Sequence, residues 1–350
     1  MNNRAYALDA LRGYAIITMV LSATIVTQVL PGWMSHAQTP PPDHIFNPSL
    51  PGITWVDLVF PFFLFAMGAA FPFSIGKRAE KGDSKLKLVY EAVKRGVQLT
   101  FFAIFIQHFY PYVLSSPQDI RAWLPMFMRI PLKMPDWAHT GIKIAAYGIA
   151  VIMMLTTSYA DGRTFSLYFS NVIILLLANM AIFGSALYIF TMHNRWLRLG
   201  VLLLLMAVIL GSTVEGSWTQ VIFNYTPLPW MYRFDYLKYL FIVIPGSIAG
   251  EYLMEWMKGR KDTEQPASPQ YRKIGIALLI LTMVIIVFNL YGLYTRMVTV
   301  NLLATLVLLL IGKLVFLRPT EGIALLWKKL FNAGAYLLLL GLCFEPFQEG

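Results

Sequence analysis

The sequence predicts an all-α fold, a polytopic transmembrane helical bundle of about ten spans. Three observations carry that reading. Of the 350 residues, 57% are hydrophobic and only 13% charged, with a mean hydropathy of +0.61, far from the balance of a soluble domain. Apolar runs close to the roughly 20 residues needed to cross a bilayer recur along the whole chain. Basic residues gather in the short polar segments between those runs, as the inside bias requires. Residues 1–350 therefore read as a single membrane domain with no soluble domain left over.

Taken in order, the spans fall at about 10–30, 53–75, 89–112, 141–159, 166–190, 197–213, 237–257, 274–294, 297–316 and 326–342. The first is too long for a cleavable signal peptide, whose apolar core is about 7 to 15 residues, and is read as retained. The segments "GKRAEKGDSKLK" and "KGRKDTEQPASPQYRK" are the most basic and polar, which puts both, and the N-terminus, in the cytoplasm. Ten crossings would leave the second segment outside, so one span between 113 and 213 is expected not to cross. The stretch from "RAWLPMFMRIPLKMPDWAHT" to residue 159, with its prolines and interleaved charges, suits an interfacial or re-entrant path. Residues 31–52 and 214–236 then face outward, both rich in aromatics and prolines.

Composition also excludes several function classes. The single cysteine, Cys343, allows no internal disulfide, no Cys-rich zinc site and no iron–sulfur cluster, and is expected to pack as a small apolar group. The net charge of +10 is accounted for by helix ends and lipid headgroups rather than by nucleic acid. No serine elbow, P-loop, H-E-x-x-H motif or carboxylate-rich metal cluster is present, so no metal is expected. No internal repeat is visible.

Ionisable groups inside spans cost about 2.5 to 3.5 kcal/mol each on insertion scales and mark candidate sites. In "LDALRG", Asp9 and Arg12 lie three apart on one helical face, as an ion pair that is either structural or functional. Asp57 follows "PGIT" on the first turns of the second span, where it either caps the helix or does chemistry. In "YEAVKRG", Glu91, Lys94 and Arg95 crowd the entrance to the third span. His44 stands in the preceding loop, and a neutral imidazole near pH 7 suits proton transfer, more so if a carboxylate such as Asp57 fixes its tautomer. His36, His108, His139 and His193 have no such carboxylate nearby in sequence and are read as interfacial or packed.

At "RAYALDALRGYAIITMVL" followed by "GITWVDLVFPFFLFAMGAAFPFSI" the chain resembles the transmembrane acetyltransferases typified by heparan-α-glucosaminide N-acetyltransferase and its bacterial relatives. That family shows an L-D-x-x-R-G-like helix entry, an outward loop with an active-site histidine, and D-L-V-F-P opening the next helix. The resemblance maps these onto Asp9 and Arg12, His44, and Asp57 through Pro61. It is clearest over the first 110 residues and fainter at "YLFIVIPGSIAGEYL" and "FNAGAYLLLLGLCFEPF". The family's histidine sits closer to D-L-V-F-P, within an H-A-x-W-like context, and its G-H-E-like stretch near the C-terminus reads "LCFEPF" here, retaining only Glu345. Family members go on to one further helix beyond this chain.

The resemblance implies an acyl-CoA-dependent N-acetyltransferase, with acetyl-CoA as cytoplasmic donor and the amine of a glucosamine-like sugar or glycan as outer acceptor. His44 would be the base and Asp57 its partner. Arg12, Lys77, Lys94 and Arg95 would bind the coenzyme A phosphates. Trp230 and Asp235, with Trp218, Tyr225 and Tyr232 nearby, would hold the sugar, unless these aromatics are an interfacial belt. The setting is the cell inner membrane, with lipid around the bundle and a homodimer compatible with it. The competing reading is a sugar transporter or permease without catalysis, in which the intramembrane charges serve a pathway.

Overall fold

The computed structural model describes residues 5–24, 31–47, 49–110, 113, 136–157, 159, 162–259, 269–316 and 323–344. Among them the regular elements are all helical. We label them α1 (Tyr6–Thr24), α2 (Trp55–Glu80), α3 (Lys85–His108), α4 (Asp136–Thr156), α5 (Val172–Thr191), α6 (Arg195–Gly211), α7 (Trp218–Asn224), α8 (Leu240–Gly259), α9 (Pro269–Tyr294), α10 (Val298–Val315) and α11 (Ile323–Phe344).

Six of the described segments are long and apolar enough to cross a membrane: α2, α5, Phe234–Gly259, Lys273–Tyr294, α10 and Ile323–Cys343. The other expected spans form helices that fall short for stated reasons. The description of α1 ends at Thr24, before the expected limit at residue 30, five charged residues crowd the first half of α3, and α6 has only 17 residues. In α4 the apolar stretch Gly141–Thr156 rises ~24 Å at 1.5 Å per residue, against a hydrocarbon core of about 30 Å. Of the stretch expected to be interfacial, residues 121–159, the part 121–135 lies outside the described residues, and most of the rest is α4.

The chain divides into two compact units, residues 1–77 with 242–350, and residues 78–241. In the first, α1 packs along α2, with Tyr14 and Phe62 ring centroids 6.1 Å apart. Small residues bring α2 and α8 into backbone contact. A Cβ at Gly68 would overlap the Val243 carbonyl, one at Gly246 the Phe65 carbonyl and one at Gly250 the Ala69 carbonyl. Pro72 offers no backbone N–H, and α2 widens into a π turn at Pro72–Gly76. Between α9 and α10 a buried polar cluster replaces apolar packing. Asn289 Nδ2 donates to Thr305 Oγ1 (3.1 Å) and Asn301 Nδ2 donates to Asn289 Oδ1 (3.1 Å). Such bonds tie helices together where the surroundings offer no water.

In the second unit α3 packs on α5, where Gly96 admits the Ile182 side chain. Polar caps start the helices: Ser84 accepts from Lys87 N–H (3.3 Å), Asn171 from Ile174 N–H (3.2 Å) and Asn194 from Leu197 N–H (3.0 Å). His108 is fully buried at the end of α3. Its Nδ1–H donates to the Ile104 carbonyl (2.8 Å) and its Nε2 accepts from Ser166 N–H (3.3 Å), which fixes one neutral tautomer within the rings of Tyr159, Phe165 and Phe169. His108 is thus a packed histidine and His193 an exposed one, while the side chain of His139 lies outside the described residues. Cys343, expected to pack, is exposed on α11.

Candidate functional site

The start of α2 builds the site. Thr54 is the residue before the helix, and Asp57, in its first turn, folds back so that Oδ2 accepts the Thr54 N–H at 2.9 Å, one half of a capping box. The Thr54 hydroxyl donates to the Ser35 carbonyl at 2.8 Å, which pins the far side of the long loop to the helix start. Ala37 N–H then reaches Asp57 Oδ2 at 3.3 Å, and the His36 ring sits against Oδ1 through Nδ1. The loop is held from the other side as well. Arg296 Nε donates to the Pro51 carbonyl (3.1 Å), and Gly52, at φ +120°, lies so close to the Leu293 carbonyl that a Cβ would come within 2.6 Å.

This pairing is the main correction to the sequence reading. The imidazole that Asp57 orients is His36, not His44. His44 points its Nδ1 at the Thr39 carbonyl (3.2 Å) and sits at φ +49°, a left-handed conformation that leaves it on its own arm of the loop. Nearness in sequence favoured His44, because the chain between residues 38 and 51 leaves the helix start and returns to it. The resemblance gave only half a signal for His36: Ala37 follows it, but Thr39 stands where the H-A-x-W-like context has Trp, and His36 lies farther from Asp57 in sequence than His44 does.

The electrostatics follow from that geometry. The hydrogen bond to Asp57, helped by the carboxylate's negative charge, holds the His36 pKa above the ordinary histidine value, against a partial burial that pulls it down. The ring is 57% exposed and Asp57 19%, so the imidazole projects its Nε2 edge outward while the carboxylate is sheltered. Two further polar atoms lie beside the pair in sequence, Ser35 Oγ and Trp55 Nε1, and both are buried without a hydrogen-bond partner among the described residues.

At the opposite end of the α1–α2 hairpin, Asp9 and Arg12 pair at 3.7 Å and line a cavity of about 260 Å³ together with Leu8, Ala70, Phe73 and Lys77. Arg12 and Lys77, expected from sequence to act together, do converge. Lys94 and Arg95 are exposed on α3 and belong to the other unit. So do Trp230, which packs on the cluster of Ile104, Phe105, Phe109, Ala150 and Met154, and Asp235, which pairs with Lys238 at 3.0 Å. Trp218 and Tyr225 are exposed. Glu345 lies outside the described residues. Among the described residues no three His, Cys, Asp or Glu side chains gather closely enough to hold a metal.

The family described as Domain of unknown function (DUF5009) matches residues 4–253, well over half of the chain. The chain belongs to the DUF5009 family. The DUF5009 match contains the whole α1–α2 hairpin, with His36, Asp57, Arg12 and Lys77, and stops within α8, so α9 to α11 lie beyond it. No curated protein and no solved structure is significantly similar to this DUF5009 chain.

Proposed function

We propose that this chain is a membrane acyltransferase that moves an acetyl group from acetyl-CoA to the amine of a glucosamine-like sugar on the outer side of the inner membrane, its N-terminus lying in the cytoplasm. The observation that carries the reading is the His36–Asp57 pair at the start of α2. Its Nδ1 is committed to a carboxylate and its Nε2 has no partner among the described residues. His36 would accept the amine proton at Nε2 as the amine nitrogen attacks the thioester carbonyl. The C–N bond forms, the C–S bond breaks, and the thiolate leaves and takes a proton. Asp57 would hold the ring and stabilise the imidazolium between those events. The Ser35 hydroxyl and Trp55 N–H are suited to donate to the oxyanion, a role worth about 2.7 to 4 kcal/mol per donor elsewhere.

Arg12 and Lys77 supply the cationic cavity suited to the coenzyme A phosphates. Along α2, the 16 residues between Asp57 and Phe73 rise ~24 Å, so phosphates and thioester would bind at opposite ends of the hairpin with the pantetheine arm between them. The purified protein in detergent, given acetyl-CoA and glucosamine, should release free thiol and form the N-acetyl sugar in equal amounts. Absence of transfer to any amino sugar, together with uptake of labelled sugar into proteoliposomes that needs no acetyl-CoA, would replace this reading by the permease.

A further inference from the structure

The described part of α9, α10 and α11 encloses a groove of about 630 Å³ that the reaction above does not use. That volume is within the ~300–1000 Å³ typical of sites for organic ligands. Its walls are apolar side chains, among them Leu279, Met283 and Ile286 of α9 and Leu330 and Leu338 of α11, with Trp327 and Phe316 at one end. Two glycines, Gly275 and Gly334, line it. A Cβ added at Gly334 would meet nothing within 4 Å, and Gly275 lets the Trp327 ring lie against the α9 backbone.

The dimensions point to one kind of occupant. From Gly275 to Ile286 the groove follows α9 for 11 residues, ~16 Å of rise, which is half of a hydrocarbon core about 30 Å thick. It therefore serves one leaflet, the depth reached by a lipid acyl chain. Charge marks the mouth. Lys328, partly buried, donates through Nζ to the carbonyl of Phe316 (3.4 Å), itself a lining residue, so an ammonium stands at the groove's entrance with donors left over. Its neighbour Lys329 is turned away, 3.7 Å from Glu255 and 5.1 Å above the Tyr252 ring. Lys273 and Lys313 lie near the ends of α9 and α10, at this same end of the helices.

We infer that this groove is a binding site for an anionic glycerophospholipid, with one acyl chain between α9 and α11 and the headgroup phosphate on Lys328. Basic pockets between transmembrane helices hold anionic headgroups in this way. The site is independent of the acyl-transfer reading.

Native mass spectrometry of the full chain, titrated with palmitoyl-oleoyl-phosphatidylglycerol and with phosphatidylcholine of the same chains, tests it. Phosphatidylglycerol should bind about fivefold more tightly, the discrimination given by one interfacial cation. Lys328→Gln should abolish the preference, and Lys329→Gln should leave it. Gly334→Phe, whose ring has room to project into the groove, should weaken both lipids. Equal binding of the two lipids, an unchanged preference in Lys328→Gln, or loss of it in Lys329→Gln to the same degree would overturn the assignment. So would competition by glycerol phosphate as effective as by the whole lipid, since the groove would then hold no chain.

Discussion

Replacing His36 by Ala separates the chemistry proposed for the His36–Asp57 site from its folding, because the two contributions differ greatly in size. The ring is more than half exposed, and Asp57 keeps the Thr54 and Ala37 N–H bonds after its removal, so the start of α2 remains capped. The loss is one partly solvated hydrogen bond, about 0.5–1.5 kcal/mol. The rate effect expected of a missing general base is about 10²- to 10⁴-fold. His44→Ala is the matched control: it removes a bond of 3.2 Å to a loop carbonyl and leaves the His36–Asp57 pair intact, so its rate should stay near wild type. The assay is formation of N-acetylglucosamine from acetyl-CoA, normalised to acetyl-CoA binding measured by calorimetry. If His44→Ala loses the activity and His36→Ala keeps more than about a tenth of it, a deficit smaller than any base should leave, the assignment of the base to His36 is refuted.

Four other outcomes follow from the same structure. Because the His36 pKa is raised, kcat/KM should climb with pH through an apparent pKa above about 6.5, whereas the pair's contribution to stability is complete below that value and lost as pH rises through the raised pKa; an acid limb lying below 6.5 would contradict this. Arg12→Gln should raise KM for acetyl-CoA about tenfold with kcat nearly unchanged, and Lys94→Gln, on the exposed face of α3, tests by the same assay whether cations of the other unit take part. Gly246→Leu drives a side chain into the Phe65 carbonyl and should cost about 3 kcal/mol or more, seen as aggregation on size-exclusion chromatography. Asn289→Leu leaves Asn301 and Thr305 without their partner between α9 and α10 and should cost about 1–2 kcal/mol, read as a lowered thermal midpoint in detergent.

What the sequence made legible was whatever depends on long runs and local spacing. The apolar segments became helices close to their expected limits, and Arg12 with Lys77 met at one end of the hairpin because alternate spans return the chain to the same side. The number of crossings was less legible, since length and mean apolarity decide it and α3 and α6 sit near the margin, α3 through its five charges and α6 through its 17 residues. The partner of Asp57 was not legible from spacing. It depends on backbone bonds between residues far apart in the chain, Thr54 to Ser35 and Ala37 to Asp57, and on Gly52 and Arg296 fixing the loop against the α9–α10 turn. The apolar groove depends on which small residues happen to face it, and a helical hydrophobic pattern does not encode that.

Asp57 carries two duties, and their coupling explains why the histidine is the better probe. As a first-turn carboxylate it complements the N-terminal dipole of α2, worth typically 0.3–1 kcal/mol, and its Oδ2 satisfies two backbone N–H groups that would otherwise lack protein partners. Only Oδ1 is left for His36. The capping bonds thereby fix the carboxylate plane, and through it the direction of the imidazole. An amide in this position can keep an oxygen on the backbone donors only by turning its NH₂ toward His36 Nδ1. That forces the ring to carry its proton on Nε2, the tautomer that cannot accept a proton from an amine at that atom. Asp57→Asn should therefore leave α2 largely formed while removing most of the rate, by 10²-fold or more on the scale of general-base effects. Equal losses of rate and of thermal stability would assign Asp57 to the helix start alone.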